Sequence, residues 1–289
     1  MVIHTVKRGE SAFSIANAYG IELRLLLEIN GLAEGESLIP GQSLLILFPK
    51  TVYTVRRGDT LYSIARNFGM SYRQLLRNNP QYVGFPFIDE GDRLIISFNS
   101  EKKGTVETNV YAYPYVTKEI LNSSLPYMTY LSPFTYGITE EGGLVPLDDK
   151  ALLDAAEEYS VRPLMHLSTL TKEGNFSNEL ASTVLNSPEI QENLIEAVKS
   201  TIVQKDYSGL DIDFEFVFPQ DSSLYAEFVE KLRNALAPLG KVVFSALAPK
   251  TSDNQKGTLY EGHNYRLLGS ASDAVLLMTY EWGYTYEHI

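Results

Sequence analysis

Apolar and polar positions follow one another in the same order in two stretches near the start of the chain. Residues 4–30 and 53–79 match at a constant offset of 49. In each copy an extended apolar segment is followed by a Gly-containing turn and by two amphipathic segments with helical spacing, the first of which begins after Ser11 or Thr60. A returning apolar segment, PGQSLLILF or EGDRLIISF, ends each copy. The pattern predicts two small domains, each with the order strand, helix, helix, strand.

From about residue 105 the pattern changes to apolar runs separated by amphipathic segments. The runs predict six strands, at residues 106–115, 127–138, 162–169, 209–217, 241–249 and 273–282. The segments between them predict helices, two of which have clear starting signals: Ser187 followed by Pro188 in one, and Asp221 in the other. Repeated strand-helix units imply parallel strands, either in a (β/α)8 barrel or in an open doubly wound sheet.

Three acids occupy alternate positions in the fourth apolar run, GLDIDFEFV. Because alternate side chains of a strand share a face, Asp211, Asp213 and Glu215 should project together, with the apolar residues on the opposite face. In a parallel barrel they would face the interior and the C-terminal rim, where such barrels have their active sites. Burial and crowding raise the pKa of a carboxyl group, and an acid that stays neutral can protonate a glycosidic leaving group. The alternation alone is equally compatible with a half-exposed strand whose acids face water.

Composition and charge narrow the classes of function. The chain has 289 residues, of which 44% are hydrophobic, and a net charge of −12. Residues 1–99 are nearly neutral, with 10 Lys and Arg against 9 Asp and Glu, whereas residues 100–289 have 14 against 27. Such an acidic surface repels polyanions, so no nucleic-acid partner is expected. No apolar run approaches the roughly 18 residues of a membrane-spanning helix, so neither a membrane anchor nor a Sec signal peptide is expected. The absence of cysteine excludes disulfides and thiolate chemistry.

The two repeated segments resemble the LysM domain, which binds peptidoglycan and chitin. Both copies follow its pattern YTVxxGDTLxxIAxxxG with a later LxxxN and a final GxxLxI, although Glu10 and Ser11 replace the usual Asp-Thr in the first copy. The resemblance implies domains at residues 1–49 and 50–99, with N-acetylglucosamine bound between the loop after the first strand and the loop after the second helix. The glycan-binding residues that it implies are Gly9, Glu10, Ser11, Asn30, Gly58, Asp59, Thr60, Asn79 and Pro80. The alternative is a pair of structural domains without a ligand.

The acidic run resembles the glycoside hydrolase family 18 signature DxxDxDxE, found on the fourth strand of chitinases and related N-acetylglucosaminidases. Asp211, Asp213 and Glu215 occupy its last three acidic positions, and Ser208 stands at the first. The resemblance implies a mixed α/β chain in which residues 100–289 form a (β/α)8 TIM-type barrel. Because only six strands are predicted, this barrel is expected to look truncated after strand 6 and not to close by itself.

A second match to the same family is MTYEW. Tyr280 matches the sixth-strand tyrosine that hydrogen-bonds the substrate acetamido group. The resemblance implies that Glu281 and Trp282, beside it, bind the substrate. The family mechanism, substrate-assisted retention, then implies that Glu215 is the acid and base and that Asp213 orients the acetamido group. Asp211, behind Asp213, would share a proton with it. Tyr280 would be the remaining catalytic residue. The resemblance implies neither a metal nor an organic cofactor.

The combination of two LysM domains with this barrel is similar to the spore cortex-lytic N-acetylglucosaminidases of bacilli. It implies peptidoglycan as the partner, no membrane partner, and a place in the spore coat, the cortex or the cell wall. The alternative is a non-catalytic, peptidoglycan- or chitin-binding spore-coat protein with an inactive or truncated barrel. Among the remaining residues, His166 on the third strand can either face the active site or be a satisfied core histidine, and the core position is the favoured interpretation.

Overall fold

The computed structural model describes residues 1–100 and 104–279, whose contacts divide the chain into two compact units. The first unit comprises residues 1–107 and 117–127, and the second comprises residues 108–116 together with those from 128 onward. Each unit has a hydrophobic core of its own.

Both copies of the repeat fold as the sequence predicts, with two helices and an antiparallel pair of strands. The first copy contains β1 (Val2–Thr5), α1 (Ala12–Tyr19), α2 (Leu23–Asn30) and β2 (Ser43–Ile46). The second contains β3 (Pro49–Thr54), α3 (Leu61–Asn67), α4 (Tyr72–Asn78) and β4 (Arg93–Phe98). The matching apolar positions are fully buried, for example Ile15, Leu26 and Leu44 in the first copy and Ile64, Leu75 and Leu94 in the second. The helical stripe predicted from the spacing is therefore the core of each repeat.

A helix outside the repeats belongs to the first unit. This helix, α5 (Lys118–Ser124), is followed by a turn of 3₁₀ helix at residues 125–127 that contacts α4. Arg77 Nη1 on α4 donates a hydrogen bond to the carbonyl oxygen of Pro126, at 3.5 Å. Residues 117–127 therefore pack with the second repeat, although the chain first contributes residues 108–116 to the other unit.

The second unit is built on a six-stranded parallel sheet that curls into part of a barrel. Its strands are β5 (Asn109–Ala112), β6 (Tyr130–Pro133), β9 (Arg162–Ser168), β10 (Gly209–Asp213), β11 (Val242–Leu247) and β12 (Ala274–Leu277). The hairpin β7 (Gly137–Ile138) and β8 (Leu144–Val145) follows β6, and the helices are α6 (Lys150–Glu158), α7 (Asn178–Asn186), α8 (Pro188–Gln204), α9 (Ser222–Leu236) and α10 (Tyr265–Ala271). The strands lie side by side in chain order, whereas a doubly wound sheet reverses its order at a switch point. The barrel prediction is confirmed and the open-sheet alternative is wrong.

The two faces of β10 have opposite character, as its alternating pattern predicts. Leu210, Ile212 and Phe214 point outward into the core between the sheet and the helices, where they join residues of α8 and α9 such as Val198 and Phe228. Asp211 and Asp213 are also buried, but on the inner face, in register with β9. Burial of the apolar face fixes the register of the strand and so fixes the direction of the acids.

The strands are shorter than the apolar runs that predict them. The fourth run extends over residues 209–217, but β10 ends at Asp213, so Glu215 follows the strand rather than lying in it. The predicted helix starts are confirmed: Ser187 caps α8 with Pro188 in its first turn, and Asp221 precedes α9. None of the helices within residues 1–100 and 104–279 has the length and apolar character needed to cross a bilayer.

Candidate functional site

The inner face of β10 brings Asp211 and Asp213 among polar residues of three other strands. Asp211 is paired in register with His166, and Asp213 with Ser168, both on β9. Paired residues of adjacent strands project to the same face. All four side chains therefore lie inside the partial barrel, and all four are at most 3% exposed.

Asp211 lies deepest in this site and is fully buried. Its Oδ2 accepts a hydrogen bond from the Ser132 hydroxyl at 2.8 Å and a longer one from Asn109 Nδ2 at 3.4 Å. Burial raises the pKa of the Asp211 carboxyl, and the nearby charge of Asp213 adds to the rise, while His166 and the Ser132 hydrogen bond act against it. The Asp211 carboxyl therefore keeps its proton at a higher pH than an ordinary aspartate does.

Asp213 lies beside His166, with 3.5 Å between its Oδ2 and the imidazole Nε2. The other ring nitrogen, Nδ1, hydrogen-bonds with the Thr135 hydroxyl at 2.7 Å. The rings of Tyr111 and Phe134 pack against the imidazole, with centroids 5.0 and 4.7 Å away. His166 is fully buried, as expected for a core histidine, and its side chain also lines the acid site.

Buried oxygen atoms in this site lack a protein partner. Within residues 1–100 and 104–279, Oδ1 of Asp211 and Oδ1 of Asp213 have no hydrogen-bond partner. Leaving a buried acceptor unsatisfied costs about 1–3 kcal/mol. Such a cost is typical of functional sites, where a ligand or a shared proton satisfies the atom.

Glu215 is half-buried just beyond the end of β10. The residue before it is tightly held: the ring of Phe214 stacks on Tyr225 at 5.4 Å with 2° between the planes, and its carbonyl oxygen hydrogen-bonds with His263 Nε2 at 2.9 Å. On the other side, a Cβ at Gly262 would collide with the carbonyl oxygen of Val217. The backbone around Glu215 is therefore held by packing from both sides.

The structure thus places the predicted acids at different depths. Asp211 and Asp213 lie inside the partial barrel, and Glu215 lies at its C-terminal rim. The three predicted residues Tyr280, Glu281 and Trp282 lie outside the described residues, and their roles stay predictions. A half-buried carboxyl group beside two buried ones can supply a proton to a ligand and stabilise a positive charge that develops on it.

Residues from other strands were missed from the sequence. Asn109, Ser132, Thr135 and His166 lie up to 102 positions from Asp211 in the chain, and none stands in a recognisable motif. The available signal was that each lies within one of the runs that predict the barrel strands.

In the LysM domains, most residues of the predicted glycan-binding sets build the turns and caps. Gly9 and Gly58 both adopt a φ of +88°, which requires glycine. The next residue in each copy closes the turn: Glu10 accepts from the Lys7 amide at 2.7 Å, and Asp59 accepts from the Arg56 amide at 2.8 Å. Ser11 and Thr60 then cap α1 and α3 in reciprocal capping boxes with Ser14 and Ser63.

Asn30 and Asn79 join a helix to a strand in each copy. The Asn79 amide nitrogen donates to the carbonyl oxygens of Leu75 and Ile95, both at 2.9 Å, and its Oδ1 accepts from the Ile95 amide at 2.7 Å. Asn30 makes the same three bonds in the first copy. Since these side chains are committed to the backbone, a glycan contact by either residue would have to use its main-chain atoms. Pro80 follows Asn79 and begins a 3₁₀ turn at the predicted loop.

Comparison with known proteins identifies both parts of the chain. The LysM domain model matches residues 4–47 and 53–97, and the model of the glycosyl hydrolases family 18 matches residues 157–288. A cortical fragment-lytic enzyme of Bacillus subtilis (strain 168) is 33% identical over 291 residues, covering 99% of this chain and 67% of that protein. The enzyme of the same name from Bacillus anthracis is 32% identical over 289 residues, covering 98% of this chain and 66% of that protein.

A solved structure agrees with these matches. The crystal structure of the Bacillus megaterium QM B1551 spore cortex-lytic enzyme SleL superposes with a TM-score of 0.74 at 33% identity, covering 98% of this chain and 66% of that one. The chain thus spans about two thirds of the length of these relatives. With two LysM domains followed by a glycosyl hydrolases family 18 domain, the chain belongs to the family of the cortical fragment-lytic enzymes.

Proposed function

We propose that the protein is a peptidoglycan glycoside hydrolase that cleaves N-acetylglucosaminyl linkages by substrate-assisted, retaining catalysis. The observation that supports this most directly is the arrangement at the end of β10, where Glu215 follows the buried pair Asp211 and Asp213 at the rim of the partial barrel. The names of the relatives, cortical fragment-lytic and spore cortex-lytic enzyme, support spore cortex peptidoglycan as the substrate.

The first step of the proposed reaction breaks the glycosidic bond. Glu215 gives its proton to the glycosidic oxygen, and the sugar on the other side leaves as an alcohol. The carbonyl oxygen of the 2-acetamido group attacks C1, so that the bond to the leaving oxygen is replaced by a bond within the sugar, giving an oxazolinium ion. Asp213 accepts a hydrogen bond from the acetamido N–H and stabilises the positive charge of this ion.

The second step restores the enzyme. Glu215, now a carboxylate, removes a proton from water, the hydroxide attacks C1, and the acetamido group is released in its original form. Asp211, whose pKa is raised by burial, is suited to hold a proton that it shares with Asp213 as the charge on the substrate changes. Tyr280 is proposed to hydrogen-bond the acetamido oxygen, and Glu281 and Trp282 to contact the sugar.

The LysM domains are proposed to hold the enzyme on its polymeric substrate at the spore cortex or the cell wall. A bound domain raises the effective concentration of the glycan at the acid site without adding a contact there. Turns of the same geometry at Gly9 and Gly58 support a similar binding mode in the two copies.

Cleavage of cortex fragments tests the proposal. The purified protein is incubated with soluble cortex fragments, and mass spectrometry follows new reducing ends of N-acetylglucosamine. Glu215→Gln should reduce the rate by at least about 100-fold, since general acid catalysis contributes about that factor. The matched control is Glu230→Gln, the same change at an exposed position of α9, which should leave the rate unchanged. Binding of insoluble peptidoglycan without any cleavage would instead support the non-catalytic alternative.

The stereochemistry of the product tests the mechanism separately. Proton NMR recorded within the first minutes of the reaction should show the β-anomer of the new reducing end, because two successive displacements at C1 retain configuration. Initial formation of the α-anomer would contradict substrate-assisted retention while leaving the hydrolase proposal intact.

A further inference from the structure

We propose that the loop between α4 and β4 and the helix α5 together form a second glycan-binding site, specific for N-acetylglucosamine-containing strands. The choice of ligand rests on the proposed function. The site itself is a groove of about 660 Å³ within the first unit. Its lining includes Pro80, Val83 and Phe85 from the LysM loop and Asn122, Ser123 and Tyr127 from α5 and the turn after it.

Close packing of the loop on α5 sets the position of the groove. Gly84 has a φ of +78°, and a Cβ at this position would lie 3.1 Å from Nδ2 of Asn122, so the backbone reaches the helix only because the residue is glycine. Below the loop, Arg77 donates to the carbonyl oxygen of Pro126, which ties the turn after α5 to α4. The helix is therefore part of the surface that the second LysM domain presents.

Two aromatic side chains of the groove are exposed. Phe85 is 76% exposed and Tyr127 is 43% exposed. Aromatic rings pack on the C–H faces of pyranose rings, and a tyrosine hydroxyl adds a hydrogen bond. The two rings thus offer an apolar surface on both elements of the groove.

Polar groups between the rings suit an acetamido group. Among the described residues, no hydrogen-bond partner is present for the side-chain amide of Asn122, which can therefore donate to and accept from a ligand. The Ser123 hydroxyl donates to the carbonyl oxygen of Ile120 at 2.9 Å, and its oxygen can still accept a hydrogen bond. An amide and a hydroxyl pair well with the N–H and C=O of an N-acetyl sugar.

The charge of the groove favours a neutral ligand. Its lining contains the acid Glu119 and, within the described residues, no Lys or Arg. A groove of this kind attracts no phosphate or other polyanion, whereas the N-acetylglucosamine residues of a glycan strand have no charge. The first LysM domain has no aromatic residue in the matching loop, residues 31–42, so this site belongs to the second copy only.

Isothermal titration with the β-1,4-linked tetramer of N-acetylglucosamine tests the proposal, in a Glu215→Gln background that prevents turnover. Phe85→Ala and Asn122→Ala should each weaken tetramer binding about three- to tenfold, the effect expected for one stacking contact or one hydrogen bond. Phe85→Tyr should bind as well as the parent because it keeps the ring. Melting temperatures of all variants are compared with the parent to show that the first unit is folded.

The matched controls are Phe87→Ala and Ile120→Ala. Phe87 is 84% exposed in the same loop, and Ile120 is 55% exposed on the same helix, but neither lines the groove. Both control variants should bind the tetramer like the parent. Unchanged binding in Phe85→Ala and Asn122→Ala, or an equal loss in the controls, would overturn the proposal. Because the readout is binding, it is independent of whether the parent protein hydrolyses cortex fragments.

Discussion

His263 hydrogen-bonds the carbonyl oxygen of Phe214, the residue immediately before Glu215, with 2.9 Å between Nε2 and the oxygen. Its Nδ1 accepts from the Ala248 amide, also at 2.9 Å. A carbonyl oxygen can only accept and an amide can only donate, so the imidazole is neutral, with its proton on Nε2. His263 therefore connects the end of β11 to the segment that contains the proposed acid.

We expect His263→Ala to lower kcat about tenfold, because Glu215 loses a fixed position while the groups that bind substrate are untouched. The measurement is kcat and KM of the parent and the variants on a soluble oligosaccharide. The matched control is Tyr265→Phe, which removes the hydrogen bond from the Tyr265 hydroxyl to the carbonyl oxygen of Ala248 in the same loop without touching Phe214. A purely structural role for His263 predicts similar losses of stability and similar kcat values in the two variants.

The free energy of unfolding should fall as the pH falls below about 6.5, in part because of His263. Burial lowers the pKa of His263 below its ordinary value of 6.5. Between the folded and the unfolded pKa the unfolded chain binds the proton and the folded chain does not, so acidification favours unfolding. Urea unfolding from pH 7 to pH 5 measures this slope, which should be smaller in His263→Gln. An equal slope in the variant would show that other groups account for it.

Replacement of Asp211 by Asn should have opposite effects on stability and activity. Burial raises the pKa of Asp211 above its ordinary value of 3.8, so its charged form destabilises the folded state as the pH rises through the folded pKa. Asp211→Asn should therefore be more stable than the parent at pH 7, with a difference that shrinks toward pH 4. The rate of hydrolysis should fall about 10- to 100-fold, since asparagine has no carboxyl proton to share with Asp213. Thermal unfolding across this pH range and the rate on cortex fragments provide the two measurements.

A buried ion pair stabilises the second unit away from the acid site. The Asp149 side chain is 3% exposed, accepts hydrogen bonds from the hydroxyls of Tyr136 and Tyr207, and pairs with Lys205 Nζ at 2.7 Å. Burial alone would raise the pKa of Asp149, but the hydrogen bonds from Lys205, Tyr136 and Tyr207 together hold it below the ordinary value.

Removal of Asp149 takes away the acceptor of both tyrosine hydroxyls and the carboxylate that pairs with Lys205, which keeps only its bond to the Tyr136 hydroxyl. Asp149→Ala should lower the free energy of unfolding by about 3 kcal/mol, which is measured by urea unfolding. Asp154→Ala is the control, since Asp154 forms an exposed pair with Lys150 one turn along the same helix and should cost at most about 0.5 kcal/mol. Equal losses in the two variants would contradict a special role for the buried pair.

The second LysM domain should depend on Asn79 for its fold. Asn79 is 1% exposed and joins α4 to β4 through three hydrogen bonds, so Asn79→Ala should destabilise the first unit by about 2 kcal/mol. Asn67→Ala, at the exposed end of α3, should be nearly neutral. Amide hydrogen exchange at β4 measures the local effect. A loss of glycan binding with unchanged exchange would show instead that Asn79 contacts the ligand.

The sequence by itself determined the architecture and half of the acid site. The repeat at an offset of 49 defined both LysM domains, and the alternation in GLDIDFEFV placed Asp211 and Asp213 on the face opposite to Leu210 and Ile212. These features are local, because the geometry of one strand or helix decides which of its side chains share a face. Strand ends were predicted less well, since apolar character continues past the last ladder hydrogen bond, as at Phe214.

Only the tertiary structure decided which residues meet from distant parts of the chain. His166 beside Asp213, His263 on Phe214 and α5 on the second LysM domain all depend on register, curvature and the path of the chain. A histidine on a buried strand has the same sequence pattern whether it packs in a core or lines a site. The distinction comes from pairing between strands tens of residues apart, which the periodicity of a single segment does not encode.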